Sequence, residues 1–594
     1  MMAAVSSMPL SRPREPGAPS VLRADGRRAR LLWFGAAFVL FAALTAYTFR
    51  ALAGESLSRT TVLAPDAPDG RELRAWDQRY AVWAIVQNAR AFASLSSPFD
   101  ANQCFPAHHA LALGHGVFAL GALAVPVLPF TSDPVAVYDV VLVLVALLAP
   151  LAMYALVTDL TGLPLAGIVS GLVYGFHAMK VGDPDHVFLT DTAWFVLALL
   201  FLRRAFLAPG RLAPAVAFAL ATTAELAAGV YPAAASLFVG LFFLAALVVE
   251  HGWDTRLVRP ALVAGAIVFL GALALYLPYF ELARRGVLVA RGRVFVPFRA
   301  LLPGGPAFVG AVPVLLALAG VFTRRAGERP LARAWPLRAA LAMGALVSTF
   351  LATGGVVFPP DAAVKLSDGS GRAFSIPLRP SRLYELVSSL LPGLNVGRGP
   401  AYAYGAVLVC VAVLAGFGCR VVVDAAIRRA GPRAWGGPLV ALVVLGATLV
   451  TAVLGVPRLA PFQIRPKDSE IALFEKLSAL GSRGPVLELP IPAGLAAGRM
   501  ASESLLLSAY HRRRTSRCFA SFVESALPGD VASAISELPA DTAVATLAQV
   551  GFSTILVRRL EDPITAARLG AAVRPGGAVV RLLATPEIDV FAIR

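Results

Sequence analysis

Three residues in the stretch GDPDH, namely Asp183, Asp185 and His186, set two carboxylates beside an imidazole. Gly-Asp-Pro is a turn signal, so the stretch reads as a tight loop between two apolar runs. Oxygen and imidazole donors this close suit a divalent cation such as Mg or Mn, with Asp183 and Asp185 as metal ligands. They equally suit acid–base chemistry. The plainer alternative is a polar turn in which Asp185 caps the helix that starts at His186. A further carboxylate, Asp77, opens the pattern WDQRYAVWAIVQ, where Trp76, Tyr80, Trp83 and Gln87 recur at helical spacing. At a helix N-terminus the dipole favours an ionised carboxylate, and such a group can serve as a general base. Its plainer alternative is an acid that only helps the helix start. His108, His109 and His115 are separated by about two helical turns; we expect them to contact a phosphate or a sugar. They lack the His-x-x-x-His spacing of a zinc helix. Arg284, Arg285, Arg379, Arg382 and Arg398 can grip phosphate oxygens in bidentate fashion. For each of them alone, contact with lipid headgroups is the simpler alternative.

The elements that must position these groups are apolar. The chain has 594 residues, 57% of them hydrophobic and 15% charged, against about 25% charged in a soluble domain. The mean hydropathy is +0.71. These values indicate a polytopic membrane protein. The net charge of +17 does not point to nucleic acid, because arginines flanking membrane spans raise the charge without a polyanionic partner. The four cysteines show no C-x-x-C spacing, which excludes zinc-knuckle and haem-attachment motifs.

Residues 1–30 read as a basic, disordered cytoplasmic N-terminus, and residues 31–457 as a transmembrane domain. Apolar runs begin near Leu31, Val135, Leu163, Val187, Leu212, Ala233, Pro260, Pro303, Leu337, Tyr402 and Gly436. If all cross, there are about eleven transmembrane helices. With the N-terminus inside, the short connections RRAFLAPGR, EHGWDTRLVRP, RRAGERPLARAWPLR and CRVVVDAAIRRAGPR all fall in the cytoplasm, as the positive-inside rule asks. Letting HHALALGHGVFALGALAVPVLPF cross as well would invert every one of them. That segment is therefore expected to lie on the outer face as an interfacial element. The long first loop, 54–134, is then external, as are the GDPDH turn, residues 281–302 and residues 358–401. The five arginines of residues 281–302 count against this orientation without reversing it. Long external loops and short internal ones place function outside.

Residues 458–594 read as an external α/β domain. GPVLELPI alternates like a strand, SESLLLSAYHRRR reads as a helix, and DTAVATLAQVGFSTILVRRL reads as a helix, a Gly stop and a strand. GAVVRLLATPEIDVFAIR reads as two short strands around a Thr-Pro turn. Cys104 and Cys518 would both be external, where a disulfide can form. Asp191, one turn into the next span, is expected to pack inside the bundle.

The order of features resembles one membrane family. SSPFDANQCFPAHHALALGHG is similar to its P-x-F-x-x-N-x-x-F/Y-P … L-A … H run. DLTGLPLAGIVSGLVYGFHAMKVGDPDH is similar to its L-T-G … Y-x-F … H run, and LVSSLLPGLNVGRGPAYAYG to its L-P-G … R-x-P-x-R segment. The tail pieces GPVLELPI, ESLLLSAYHRR and VGFSTILVRR resemble its closing domain. The family is the bacterial polytopic glycosyltransferases of the GT-C fold. The resemblance covers most of the chain, and it is carried by the order of degenerate motifs. It implies a polyprenyl-phosphate-linked sugar donor, a glycan or protein acceptor, and transfer at the external face of the plasma membrane. It implies Asp77 as the general base, an acid or histidine of the second outer loop matching Asp183, Asp185 or His186, and Arg398 as a donor-phosphate contact. Joined to the reading of the residues themselves, Asp185 and His186 are the further catalytic candidates and Asp183, His109, His115 and Arg382 the further substrate contacts. Arg398 matches the late-loop arginine. Two departures stand out. Gln78 sits where a second acid would pair with Asp77, and Tyr402 replaces the second arginine of R-x-P-x-R.

Two other readings compete. A transporter would place ionisable residues mid-span, and Asp139, Glu225 and Asp424 lie in or near spans. It would also show corresponding broken helices in two halves, and no such repeat is visible. An envelope-assembly factor would act through its tail and tolerate loss of the loop acids. No P-loop, G-x-S-x-G elbow or H-E-x-x-H helix is present.

Overall fold

The computed structural model describes residues 26–594 except 54–58, 64–67, 188–192, 287–294, 297, 304, 306, 323–334, 356–362, 368–372, 378–380, 391–399, 431–435, 482–483, 492–493 and 520–526. The first half of the chain forms α1 (Arg27–Thr48), α2 (Pro68–Ala93), α3 (Phe118–Ala124), α4 (Pro134–Thr161), α5 (Pro164–Gly175), α6 (Ala178–Val181), α7 (Ala193–Leu207), α8 (Leu212–Ala228), α9 (Val230–His251) and α10 (Val258–Arg284). The middle forms α11 (Ala311–Phe322), α12 (Trp335–Thr353), α13 (Arg382–Leu390), α14 (Tyr404–Ala430) and α15 (Gly436–Gly455). The tail forms α16 (Asp468–Ala479), α17 (Gly494–His511), α18 (Gly529–Glu537), α19 (Asp541–Val550) and α20 (Pro563–Ala572). Eight strands accompany them: β1 (Thr60–Leu63), β2 (Ala363–Ser367), β3 (Ala373–Pro377), β4 (Ala460–Gln463), β5 (Val486–Leu489), β6 (Thr554–Arg558), β7 (Val579–Ala584) and β8 (Ile588–Ile593).

This is a multi-pass membrane protein. Every apolar run of the sequence contains a helix, and among the described residues seven helices are long and apolar enough to cross a bilayer. These seven are α1, α4, α9, α10, α12, α14 and α15. The remaining runs give shorter helices. Both α5 and α11 have 12 residues, which is about 18 Å of helix against a hydrocarbon core of about 30 Å. Chain punctuation limits α5, which starts on Pro164 and stops before the extended His177. The histidine segment stays short as well. It breaks into the 3₁₀ turn Ala110–Leu113, the seven-residue α3 and the 3₁₀ turn Val125–Val127. None of these can cross a membrane.

The chain divides into two compact units. The first holds residues 1–50, 142–274 and 292–459. Its centre is α14, whose Ala406, Val409, Cys410, Val413 and Ala415 are wholly buried. Small residues let α11 and α14 meet closely. A Cβ on Gly418 would lie 1.8 Å from the Leu316 carbonyl oxygen, and one on Gly320 would lie 2.2 Å from that of Leu414. In lipid such backbone approach is what drives helix association, since apolar side chains gain little by leaving the tails. At the other extreme α10 exposes Leu262, Phe269 and Leu270, an apolar surface suited to lipid. Three acids of this unit are partnered. Asp159 pairs with Arg203 and Arg204, Asp424 with Arg420 at 2.6 Å, and Glu225 accepts from the Phe195 amide at 3.0 Å and the Ser236 hydroxyl at 3.1 Å.

The second unit holds residues 51–141, 275–291 and 460–594. Its sheet has the order β5-β6-β8-β7, with β5 and β6 parallel and the other pairs antiparallel. Alternating side chains separate two cores. Leu487, Leu489, Ile555, Val557 and Phe591 pack on α18, α19 and α20. Val486, Leu556, Ile588 and Val590 pack on Leu473, Phe474 and Leu477 of α16 and Leu507 of α17. The strands, Gly stop and helices expected in residues 458–594 are present, with α17 beginning well upstream of Ser502. The tail does not stand alone: β4 pairs with β1, and α17 lies along α2.

The first loop is stitched to the tail by backbone bonds. The Cys104 amide donates to the Arg517 carbonyl at 2.9 Å, and the Thr515 amide donates to the Asn102 carbonyl at 3.0 Å. Cys104 and Cys518 are joined in a disulfide across 414 residues of sequence.

Candidate functional site

In the first unit the GDPDH turn begins from a buried histidine. His177 accepts the Met179 amide at 3.1 Å and thereby caps α6, while its other ring nitrogen lies 3.3 Å from the Phe308 carbonyl oxygen. The turn is tight at Gly182, where a Cβ would sit 2.5 Å from the Ala178 carbonyl oxygen. Pro184–His186 then forms one 3₁₀ turn. Asp185 is wholly buried. His186 Nδ1 lies 3.1 Å from a carboxylate oxygen of Asp185 and 3.3 Å from one of Asp183. Ligand atoms of Asp183, Asp185 and His186 all fall within 4.8 Å of one another, the one such group of His, Cys, Asp and Glu among the described residues. Hard carboxylate oxygens with one imidazole fit Mg or Mn, and the buried Asp185 carboxylate gives a reason for a cation there.

Beside this turn lies a small apolar furrow of about 20 Å³, lined by Phe49, Leu142, Val145, Ala146, Gly175, Val181, Pro184 and Val187, with Lys180 as its cation. The Lys180 ammonium donates to the Tyr174 hydroxyl at 3.3 Å and sits 4.4 Å from the centre of that ring. Sequence reasoning passed over Lys180. The usable signal is that the cations of this chain are overwhelmingly arginine, yet a lysine stands next to the acid turn.

Asp77 falls in the second unit, on α2. The helix runs from Pro68, so Asp77 lies in its interior and not at its N-terminal end. The polar residues PDGRELRA extend the helix upstream, which puts Asp77 beyond the first turn where the helix dipole acts. One turn on, Tyr80 is buried and donates to the His115 carbonyl at 2.6 Å. Burial, with the Asp77 charge adding to it, pushes the Tyr80 phenol well above its ordinary value. Tyr279 donates to the Gly114 carbonyl at 3.1 Å and Asn88 to that of Gly116 at 2.5 Å. Three side chains thus hold the backbone around His115. His109 takes a left-handed conformation, φ 52°, and its Nε2 lies 3.4 Å from a carboxylate oxygen of Glu281. His108 is exposed.

Gln78, in place of a second acid, is buried. Its amide donates to the Val62 carbonyl at 3.1 Å and lies 3.3 Å from the Thr61 hydroxyl, which in turn donates to Asp139 at 2.7 Å. The position serves packing of β1 against α2. Arg382 is exposed at the start of α13, and Arg285 pairs with Glu281. Arg398, Arg379 and Asp191 lie outside the described residues.

The phenylalanines of the SSPFDANQCFP run are packing residues. Phe99 stands edge-on to His109, Phe118 and Tyr279 at 6.3, 5.2 and 6.3 Å. Phe105 meets Phe552 at 5.0 Å.

No family model matches the chain, and no curated protein matches it. Among solved structures it is similar to the arabinofuranosyltransferase AftD from Mycobacteria, at 15% identity and a TM-score of 0.46 over 96% of this chain and 40% of that one. A mutant form of AftD gives 15% identity and a TM-score of 0.47, over 96% and 42%. The chain thus spans about two fifths of the length of AftD. ArnT from Cupriavidus metallidurans, bound to undecaprenyl phosphate, is similar at 14% identity and a TM-score of 0.45, over 96% of this chain and 98% of that one. AftD and ArnT are glycosyltransferases of the GT-C fold.

Proposed function

We propose that the protein is a membrane glycosyltransferase that moves a sugar from a polyprenyl-phosphate-linked donor to a glycan or protein acceptor, at the external face of the plasma membrane. The observation that carries this reading is the Asp183–Asp185–His186 cluster with Lys180 just before it in the chain. A donor phosphate needs cationic partners, and carboxylates beside an imidazole can hold a divalent ion while Lys180 supplies a direct charge.

The reaction is an inverting displacement. Asp77 takes the proton of the acceptor hydroxyl as that oxygen bonds to the anomeric carbon. The bond from that carbon to the donor phosphate oxygen breaks on the opposite face, and polyprenyl phosphate leaves with the bonding pair. Lys180 neutralises the phosphate charge as it grows. A divalent ion held by Asp183 and Asp185 would add Lewis-acid stabilisation of the same oxygens. Asp185 holds the His186 ring in place, and His109 and His115 line the approach of the acceptor. The Arg382 and Arg398 guanidiniums are further phosphate contacts.

The external orientation is supported by the Cys104–Cys518 disulfide, since such bonds persist in oxidising compartments. The N-terminus is then cytoplasmic.

The test uses the purified chain in nanodiscs with synthetic polyprenyl-phosphate sugars. Asp77→Asn should lower transfer by about 10²–10⁴-fold while leaving the fold intact. Full activity in a well-expressed Asp77→Asn variant removes Asp77 as the base. Failure of the wild type on every such donor removes the reading itself.

A further inference from the structure

The second unit contains a separate cleft of about 280 Å³, close to the roughly 300 Å³ lower bound of small-ligand sites. It lies on the far side of α2 from the proposed base. Arg79 lines it, and at 100° per residue Arg79 leaves the helix about 200° from Asp77. Contacts agree with this. Asp77 acts on Tyr80, whereas Arg79 pairs with Glu72 at 2.8 Å and lies 3.4 Å from the Ser502 hydroxyl of α17.

Six of the nine charged residues of the cleft come as three pairs; of the others, Arg79 and Arg465 pair with Glu72 and Asp133 beyond the lining, and Glu561 completes the set. Arg558 meets Glu470 at 2.8 Å, Arg499 meets Glu503 at 3.3 Å, and Lys467 meets Glu587 at 3.4 Å. Each pair offers donors and an acceptor side by side. A simple anion would meet a carboxylate next to every one of these cations, and a nucleobase would find no aromatic ring in the lining. Vicinal hydroxyls answer the pattern, because each hydroxyl both donates and accepts. Leu506 and Ile588 supply apolar surface for the C–H face of a sugar ring, and the strongly exposed Leu560 stands at the same cleft. Two of the pairs are half-exposed, with side-chain exposures of 59% and 38% for Arg499 and Glu503, and 68% and 53% for Lys467 and Glu587. Their groups can re-pair with a ligand.

We infer that this cleft binds a neutral carbohydrate and holds acceptor glycan away from the centre of transfer. The word carbohydrate rests on the cleft's own chemistry; the word acceptor rests on the transferase reading.

The full-length protein in nanodiscs is screened against an array of neutral and acidic envelope oligosaccharides, and the retained glycans are titrated by calorimetry. Neutral glycans should bind, and Arg499→Gln and Glu587→Gln should each weaken them about tenfold with unchanged thermal melting. Asp77→Asn and Lys180→Ala should bind like the wild type. Three results overturn the inference: no neutral glycan is retained, retention is confined to acidic glycans and vanishes in high salt, or Asp77→Asn rather than the cleft variants abolishes binding. None of these bears on transfer itself, which is read separately from the donor assay.

Discussion

Asn102 accepts a hydrogen bond from the Trp83 indole at 2.7 Å, and its amide donates to the Ser508 carbonyl at 2.9 Å. One buried side chain therefore ties the first loop to α2 and to α17 at once. It fixes the start of the segment that carries His109 and His115.

Asn102→Ala leaves the buried Trp83 N–H without its partner, while the Ser508 carbonyl keeps the Arg512 amide at 2.8 Å. A buried orphan of this kind costs about 1–3 kcal/mol, so the melting temperature should fall by several degrees and transfer should fall with it. Scanning fluorimetry of the purified variant checks this. An unshifted melt would mean that the loop is held by the disulfide and the backbone bonds alone.

Lys180→Ala removes the cation of the furrow. The donor KM should rise about tenfold or more, with a smaller change in kcat, and Lys180→Arg should recover part of the loss. Steady-state kinetics with a synthetic donor separate the two parameters. Equal KM values in both variants would place the donor phosphate elsewhere.

His511 stacks on Phe474 at 3.8 Å and accepts the Arg513 amide. Burial, then the Arg513 charge, lowers its imidazole to about 3. The unfolded chain binds a proton at the ordinary value of about 6.5, so between about pH 3 and 6.5 the unfolded state holds more protons. Stability from this group is complete above pH 6.5 and is lost as the pH falls, by at most about 1.4 kcal/mol per unit. Denaturant titrations from pH 7 to 4 should show this slope, and His511→Phe should flatten it. An unchanged slope in that variant assigns the acid sensitivity to other groups.

Gly418→Ala would set a methyl 1.8 Å from the Leu316 carbonyl oxygen, a backbone atom that cannot step aside. Overpacking of this kind costs about 1–3 kcal/mol or more. Gly446→Ala, where a Cβ meets nothing within 4 Å, is the control and should be neutral or slightly stabilising, given the helix preference of alanine. Detergent-stable yield and melting temperature compare the two. Equal behaviour would show that α11 and α14 can separate without loss.

The multi-pass character was legible because apolar runs have one physical reading in a membrane chain, but the number of spans was not, since among the described residues seven helices reach spanning length against the eleven expected. The GDPDH cluster was legible because turn chemistry and donor residues coincide within five positions. The strands of the tail were legible from alternation and from the Gly551 stop, which adopts a left-handed φ of 107°. The start of α2 was not. Residues 68–75 are polar and charged, so nothing periodic marks them as helix, and Asp77 looked terminal when it is internal. Gln78 read as a missing catalytic acid, although its buried bonds to β1 make it a packing residue. Lys180 and the paired charges of the cleft were hidden for another reason. Their meaning depends on chain segments far apart in sequence, such as Arg558 against Glu470.

On the proposed orientation, Cys104 reaches the oxidising side early in synthesis while Cys518 is still 414 residues away. At roughly 5–20 residues per second, that gap lasts roughly 20–80 s. Through it the early cysteine waits as a thiol, exposed to whatever oxidants and foreign thiols the compartment holds. The chain offers it no wrong partner of its own, because the other two cysteines, Cys410 and Cys419, are buried within α14. Sequestering the spare thiols in a membrane helix leaves one intramolecular outcome, and the bond becomes a chemical record that the segment carrying Cys518 has been exported.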